Sequence, residues 1–364
     1  MKLFAVCAVL GLILYLPGSA PANNDNTDPK ASEKTERSTI VDPQVTVTLC
    51  VMSGTLTVRG WDKNEIRARS SDVDQIDFRR IDKGKDTSRP ATRIDVMVVD
   101  ESYKLKTKAD CQAVADVDMD VPVGATVQVQ TRDGDISIVG VAAAYAGSQN
   151  GDISIEKVSK LVEAGSVGGS ISLKDSSGRI NLNSAGGGVD VTNVRPATSD
   201  DAIEVGTVSG DIQLEHVSNP KVVTKTVNGT VTLTGPLARA GYYGFTSMGG
   251  DLVLMLPRDA SFKLNAKISD KEDIVSDFSL TYLKEAAPAP PTPIPQPAPG
   301  AAPKSPAAKG QPPHKGGIVV APVIVAKPVV VNPYVLTRFT AICGTGDATI
   351  SVASFGGTLR LKKM

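Results

Sequence analysis

Four aspartates hold the same place in a recurring phrase: Asp135, Asp152, Asp211 and Asp251 each follow a Gly and precede a triplet that is apolar at its first and third places. If the phrase stacks on itself as parallel strands, neighbouring members lie about 4.8 Å apart. Two carboxylates at such a spacing can do acid–base work on a glycosidic bond or hold Ca²⁺, and Lys174 is the one cation placed to assist. Against this, Ser170, Gly188 and Thr230 take the same place elsewhere, so only Asp135 and Asp152 are adjacent. The simpler reading is turn chemistry: Asp favours the turn, accepts from nearby backbone N–H groups and keeps the outside wet. We prefer it.

The rest of the chain offers little else that could react. The sequence has two histidines, His216 and His314, neither with neighbours at metal-ligand spacing. There is no His-Glu-x-x-His, Cys-x-x-Cys or Gly-x-Ser-x-Gly pattern, and Gly344-Thr-Gly346 lacks the Gly-Lys-Ser/Thr that a phosphate loop needs. The Gly-Asp phrases also lack the nonapeptide of calcium-binding β-helix repeats. No catalytic, cofactor or metal site is therefore expected. With 39 basic and 39 acidic side chains, no global field draws nucleic acid. Aromatic content of 4% is low for a carbohydrate groove built on stacked Trp and Tyr.

The elements that must position these residues follow from the phrase itself. It reads Gly134-Asp-Ile-Ser-Ile138, and recurs at Gly151, Gly169, Gly187, Gly210, Gly229 and Gly250, with spacings of 17, 18, 18, 23, 19 and 21 residues. After each Gly, apolar residues stand at +2 and +4; before it they stand at −7 and, Thr224 excepted, at −5, as in Val127 and Val129 or Ile180 and Leu182. Alternation of this kind marks half-buried strands. Parity breaks at the Gly, so a bend there lets both strands face one interior, and Gly tolerates the positive φ that such bends often need. One unit cannot bury its apolar side alone, whereas stacked units share a core. The expected fold is all-β: a single-stranded right-handed β-solenoid of about 19-residue turns, two short strands per turn. A sandwich of hairpins is the alternative, and the regular apolar columns disfavour it. Gly54 and Gly357 carry the same frame, which predicts two end turns separated from the main block by insertions.

The flanks divide as follows. Residues 1–22 read as a secretory signal peptide: Lys2, an apolar run from Leu3 to Leu16, and a small-residue site after Ala22. The run is too short to span a membrane comfortably, so no transmembrane segment is expected after cleavage. Residues 23–39 are polar and expected to be a disordered leader. Residues 40–125 form a β-rich N-terminal cap, which hides a strand edge, and 126–285 hold the repeats. Residues 286–334 are a Pro/Ala-rich insertion of polyproline character, and 335–364 a C-terminal solenoid turn. Export makes one disulfide reasonable among Cys50, Cys111 and Cys343; Cys50 with Cys111 is preferred because both lie in the cap, the alternative being three free thiols.

The Gly-Asp-Ile repeats resemble a widespread bacterial family of exported β-solenoid domains labelled "putative adhesin", of unknown function. The lead-in Val117-Asp-Met-Asp-Val-Pro-Val-Gly-Ala-Thr-Val127, the closing Leu256-Pro-Arg-Asp-Ala-Ser-Phe262 and Ser276-Asp-Phe278 match it, over residues 40–285 and 335–361. The chain departs from the family at Lys271-Glu-Asp-Ile274 and in the Pro-rich insertion. The resemblance implies the fold and brings no catalytic residues. The function expected is an exported, non-enzymatic interaction module of the cell envelope or surface. Its ligand would be a protein or polysaccharide, and the molecule a monomer or weak oligomer. A polysaccharide-acting β-helix enzyme and a self-assembling scaffold like the bactofilins are the alternatives.

Overall fold

The fold is described from a computed structural model for residues 35–73, 75–82, 88–99, 111, 113–269, 273–283 and 337–364. The signal peptide, His314, the insertion 286–334 and most of the leader lie outside the described residues. The leader differs from expectation at its end: residues 35–39 are already strand, because β1 (Thr35–Ser53) starts there and pairs antiparallel with β3 (Glu65–Ser70).

All described regular structure is β apart from short turns. Between β1 and β3 lies β2 (Leu56–Trp61), and β4 (Gln75–Arg80), β5 (Ala91–Val99) and β6 (Val117–Pro122) follow. The regular turns then begin: β7 (Thr126–Asp133) with β8 (Ile136–Val139), β9 (Ala143–Ser148) with β10 (Ile153–Glu156), and β11 (Leu161–Ser166) with β12 (Ile171–Lys174). They continue as β13 (Arg179–Ser184) with β14 (Val189–Val194), β15 (Ala202–Thr207) with β16 (Ile212–Val217), β17 (Lys221–Thr226) with β18 (Val231–Thr234), and β19 (Tyr242–Ser247) with β20 (Leu252–Leu256). The last elements are β21 (Phe262–Ile268), β22 (Ile274–Ser276), β23 (Thr281–Leu283), β24 (Thr337–Cys343), β25 (Ala348–Ser354) and β26 (Leu359–Lys363).

In each regular turn the strand before the Gly joins a front face and the strand after it a back face, and every neighbour along the stack is parallel and in register, as Val162 with Ile180 or Ile171 with Val189. The register puts the four apolar positions of every frame into columns. Ile136, Ile138, Ile153, Ile155, Ile171 and Leu173 are buried from the back face, and Val127, Val129, Ala144, Val162, Ile180 and Leu182 from the front. This is the two-strand solenoid.

Stacking order is not chain order at the ends. The Gly54 turn (β1, β2) lies under β7 and β8, but β5 and β6 pair parallel to its far side. The Gly357 turn (β25, β26) lies on β19 and β20, with β21 and β22 parallel on its far side. Both expected end turns are therefore interior, and the segments 40–125 and 335–364 are more than a cap and a final turn. Outside them, β4 pairs antiparallel with β5, β3 with β6, and β24 with β21 and β23. Antiparallel borders end the parallel ladder at each end.

Candidate functional site

The frame Gly shows why each turn can stack so closely. A Cβ built on Gly151 would lie 1.8 Å from the carbonyl oxygen of Gly134, and one on Gly169 only 2.1 Å from that of Gly151. Of the nine frame glycines, Gly54, Gly134, Gly151, Gly169, Gly187, Gly210, Gly229, Gly250 and Gly357, only Gly54 has positive φ. The expected reason for Gly was thus wrong in eight of the nine: close approach of the preceding turn excludes a side chain, and backbone handedness does not.

Two ladders lock this corner. Three residues before the Gly stands a buried hydroxyl. Ser166 Oγ accepts from Gly169 N–H at 2.9 Å and donates to the Gly151 carbonyl of the preceding turn at 3.1 Å; Ser148, Ser184 and Thr207 repeat the arrangement. Thr131 and Thr226 occupy the same column, yet their hydroxyls have no partner among the described residues. The hydroxyls were missed in sequence, although their parity with −7 and −5 places them inside.

The second ladder is the aspartate column. Asp135 Oδ1 accepts from Asp152 N–H at 2.8 Å, Asp152 Oδ1 from Ser170 N–H at 2.7 Å, Asp211 from Thr230 N–H at 2.7 Å and Asp251 from Thr358 N–H at 2.9 Å. Each carboxylate thus satisfies the corner N–H of the next turn. His216 sits at the opposite corner, six residues after Gly210, in left-handed conformation at φ 52°, in line with Lys157, Asp175 and Asn193. It is a corner residue.

Cys50 and Cys111 are disulfide-bonded, with Cα atoms 5.1 Å apart. Cys343 is a free, buried thiol, and burial pushes its pKa up. Among the described residues no cluster of three or more His, Cys, Asp or Glu could hold a metal ion.

What remains open is the outer front face. Two rows of outward residues run along the stack there: Asp95, Thr48, Gln128, Tyr145, Glu163 and Asn181, and beside them Cys50, Gln130, Gly147, Gly165 and Asn183. Between them lies a trough of about 560 Å³. Its floor is bare because Gly147 and Gly165 carry no side chain. Unlike the corner glycines, neither is forced: an added Cβ would meet nothing closer than 3.7 Å at Gly147 and 3.8 Å at Gly165. Asn183 donates to Asn181 at 2.7 Å, and Asp95 accepts from Thr48 at 2.8 Å while paired with Arg79.

Two other surfaces stand out. Around Trp61, Lys63 and Arg67 each lie 4.7 Å from the ring, and Arg67 and Arg69 share Asp120 at 2.7 and 3.1 Å. That cluster satisfies itself. At position −2 an apolar ridge, Val167, Ala185, Val208, Val227, Met248 and Phe355, follows the corner; Val167 is 60% exposed and Met248 56%. On the back face, burial and then the neighbouring Glu215 push the Asp190 carboxyl above its usual range.

Among the described residues no helix is long and apolar enough to cross a membrane. No curated protein matches the chain. Two solved structures are similar to it: a "putative adhesin" from Parabacteroides merdae ATCC 43184, 9% identical with a TM-score of 0.38 over 62% of this chain and 92% of that one; and a "putative cell adhesion protein" from Clostridium sporogenes ATCC 15579, 10% identical with a TM-score of 0.20 over 91% of this chain and 100% of that one. The family model described as Toastrack DUF4097 matches residues 54–285. That is more than half of the chain, which belongs to the Toastrack DUF4097 family.

Proposed function

We propose that the protein is an exported, non-enzymatic interaction module of the cell envelope or surface, working through the outer front face. The observation that carries this is the trough: an open polar surface on a fully paired, rigid sheet, without acids placed to react. Its two carboxylates, Asp95 and Glu163, stand four strand steps apart, about 19 Å, whereas paired glycosidase carboxylates stand about 5–9.5 Å apart. The closer acids, Asp135 and Asp152, lie at the corner and each already accepts a backbone N–H. The apolar leader of residues 1–22 supports export.

Fractionation with an epitope-tagged chain tests the reading. The expected result is a mature form with the leader removed, in the envelope or outside the cell; a cytoplasmic pool with an intact leader overturns export. Incubation with acidic and neutral polysaccharides is expected to give no turnover, and release of reducing ends overturns the non-enzymatic part.

A further inference from the structure

We infer that the trough on the front face is a binding site for an extended, uncharged glycan lying along the stack, a reading that rests on the interaction role proposed above and names its ligand class. Four features converge there. Tyr145, the one aromatic among the lining residues, stands half-buried in the middle of the first row, and an aromatic ring can pack on sugar C–H groups. Gln128, Gln130, Asn181 and Asn183 surround it; a carboxamide both donates and accepts, which suits neighbouring hydroxyls that do the same. Gly147 and Gly165 leave the strand backbone uncovered with no packing reason to do so. A bare glycine in a strand interior weakens the strand and often marks a bulge, a tight bend or the close approach of a ligand or another backbone; the register at Gly147 and Gly165 runs without a bulge. The charge is one-sided: the lining contains Asp95 and Glu163 and no Lys or Arg. Asp95 is neutralised by Arg79, and Glu163 is left as an acceptor that repels anionic chains.

The shape favours a polymer over a single sugar. From Thr48 to Asn181 the rows cross five paired strands, a run of about 19 Å. A peptide is the poorer fit. The strands beneath are hydrogen-bonded on both sides, so no free edge is present for strand addition. The outward lining also offers few apolar contacts for side chains.

The test uses the full chain in native electrophoresis through gels containing dextran, glucomannan, galactan or polygalacturonate. Retardation is expected on at least one neutral polymer and not on polygalacturonate. Gly147→Val and Gly165→Val fill the trough without touching the core. They are expected to melt at or above the wild-type temperature and to bind at least tenfold more weakly, as is Tyr145→Ala. Absence of retardation on every neutral polymer, retardation on polygalacturonate alone, or undiminished binding by both Val variants overturns the inference. If the trough instead retains a protease-sensitive envelope component that Gly165→Val loses, the glycan assignment fails while the interaction role stands. Failure of export in the fractionation experiment strikes the role and leaves the binding result intact.

Discussion

At the residue scale, two kinds of glycine occupy the same turns for opposite reasons, one at the corner and one inside a strand, and substitution separates them. At Gly151 a methyl group would run into the Gly134 carbonyl, so Gly151→Ala has to push apart two turns that are locked by a hydroxyl and an aspartate on either side. Overpacking of that kind is expected to cost about 3 kcal/mol in urea denaturation. Gly165→Ala meets nothing closer than an ordinary contact at 3.8 Å and is expected to stabilise by about 0.5 kcal/mol, since it restricts the unfolded chain. Equal losses at both positions would refute the close-approach account. Asp190 gives a pH test. Its carboxyl is lifted by burial and by Glu215, with Lys174 opposing. A carboxyl whose folded pKa is raised favours the fold below its unfolded value, about 3.9, and costs stability as pH rises through the folded value. Asp190→Asn is therefore expected to raise the urea midpoint at pH 7 and to leave it unchanged at pH 3. Much of this scale was legible. The +1 aspartates were read as turn chemistry and the structure shows their N–H partners, although those partners lie in the next turn. The −3 hydroxyls were not read, because Ser and Thr in a strand look like outward residues until the parity with −7 and −5 is applied. The frame sets the corner glycines apart by position, but the reason for either sort is not legible, since what meets a missing Cβ is settled by the neighbouring turn and not by the local sequence.

At the element scale the solenoid rests on short strands, many of only four residues, each too small to be stable alone and each paired on both sides. The chain from β2 to β6 is different: it leaves the stack at Trp61, builds antiparallel β3 and β4, and returns to lay β5 and β6 on the outer side of β1 and β2. The Cys50–Cys111 bond closes that excursion, joining residues 61 apart in sequence. Restricting a loop of this size in the unfolded chain is worth about 4 kcal/mol in the chain-entropy model. Cys50→Ser is expected to lower global stability by up to that amount, read from the guanidinium midpoint, with the same loss when the wild type is reduced and no further effect of reductant on the variant. A midpoint insensitive to reductant in the wild type would show that the excursion is held by strand pairing alone. The columns that define these strands were evident from the repeat. The parallel docking of β5 against β1 was not, because β5 carries no Gly frame and its partner lies more than 40 residues earlier.

At the scale of the whole molecule, the periodic pattern marked the nine turns that carry the Gly frame, but neither the two frameless layers, β5 with β6 and β21 with β22, nor the order in which the turns stack. A repeat fixes spacing along the chain, and each turn presents nearly the same edge to any neighbour. Order is decided at the ends, where irregular segments carry their own antiparallel borders and cover the two regular turns nearest the chain termini. The consequence is mechanical. In an ordinary solenoid the last turn frays, because it contacts one neighbour only. Here the C-terminal turn, β25 and β26, is clasped between β19 and β20 on one side and β21 and β22 on the other, with Ile350, Val352, Leu359 and Leu361 fully inside. Native-state hydrogen exchange is expected to show the amides of residues 349–353 and 359–361 protected to within about 1 kcal/mol of those in β15 and β16, instead of near zero as at a fraying end. Deleting residues 344–364 should then remove an interior layer and part β19 from β21, so that the whole stack loses its cooperative melting transition. Weak protection at the C-terminus, or a truncated chain that still melts in one sharp step, would mean that the clasp is not what closes this end.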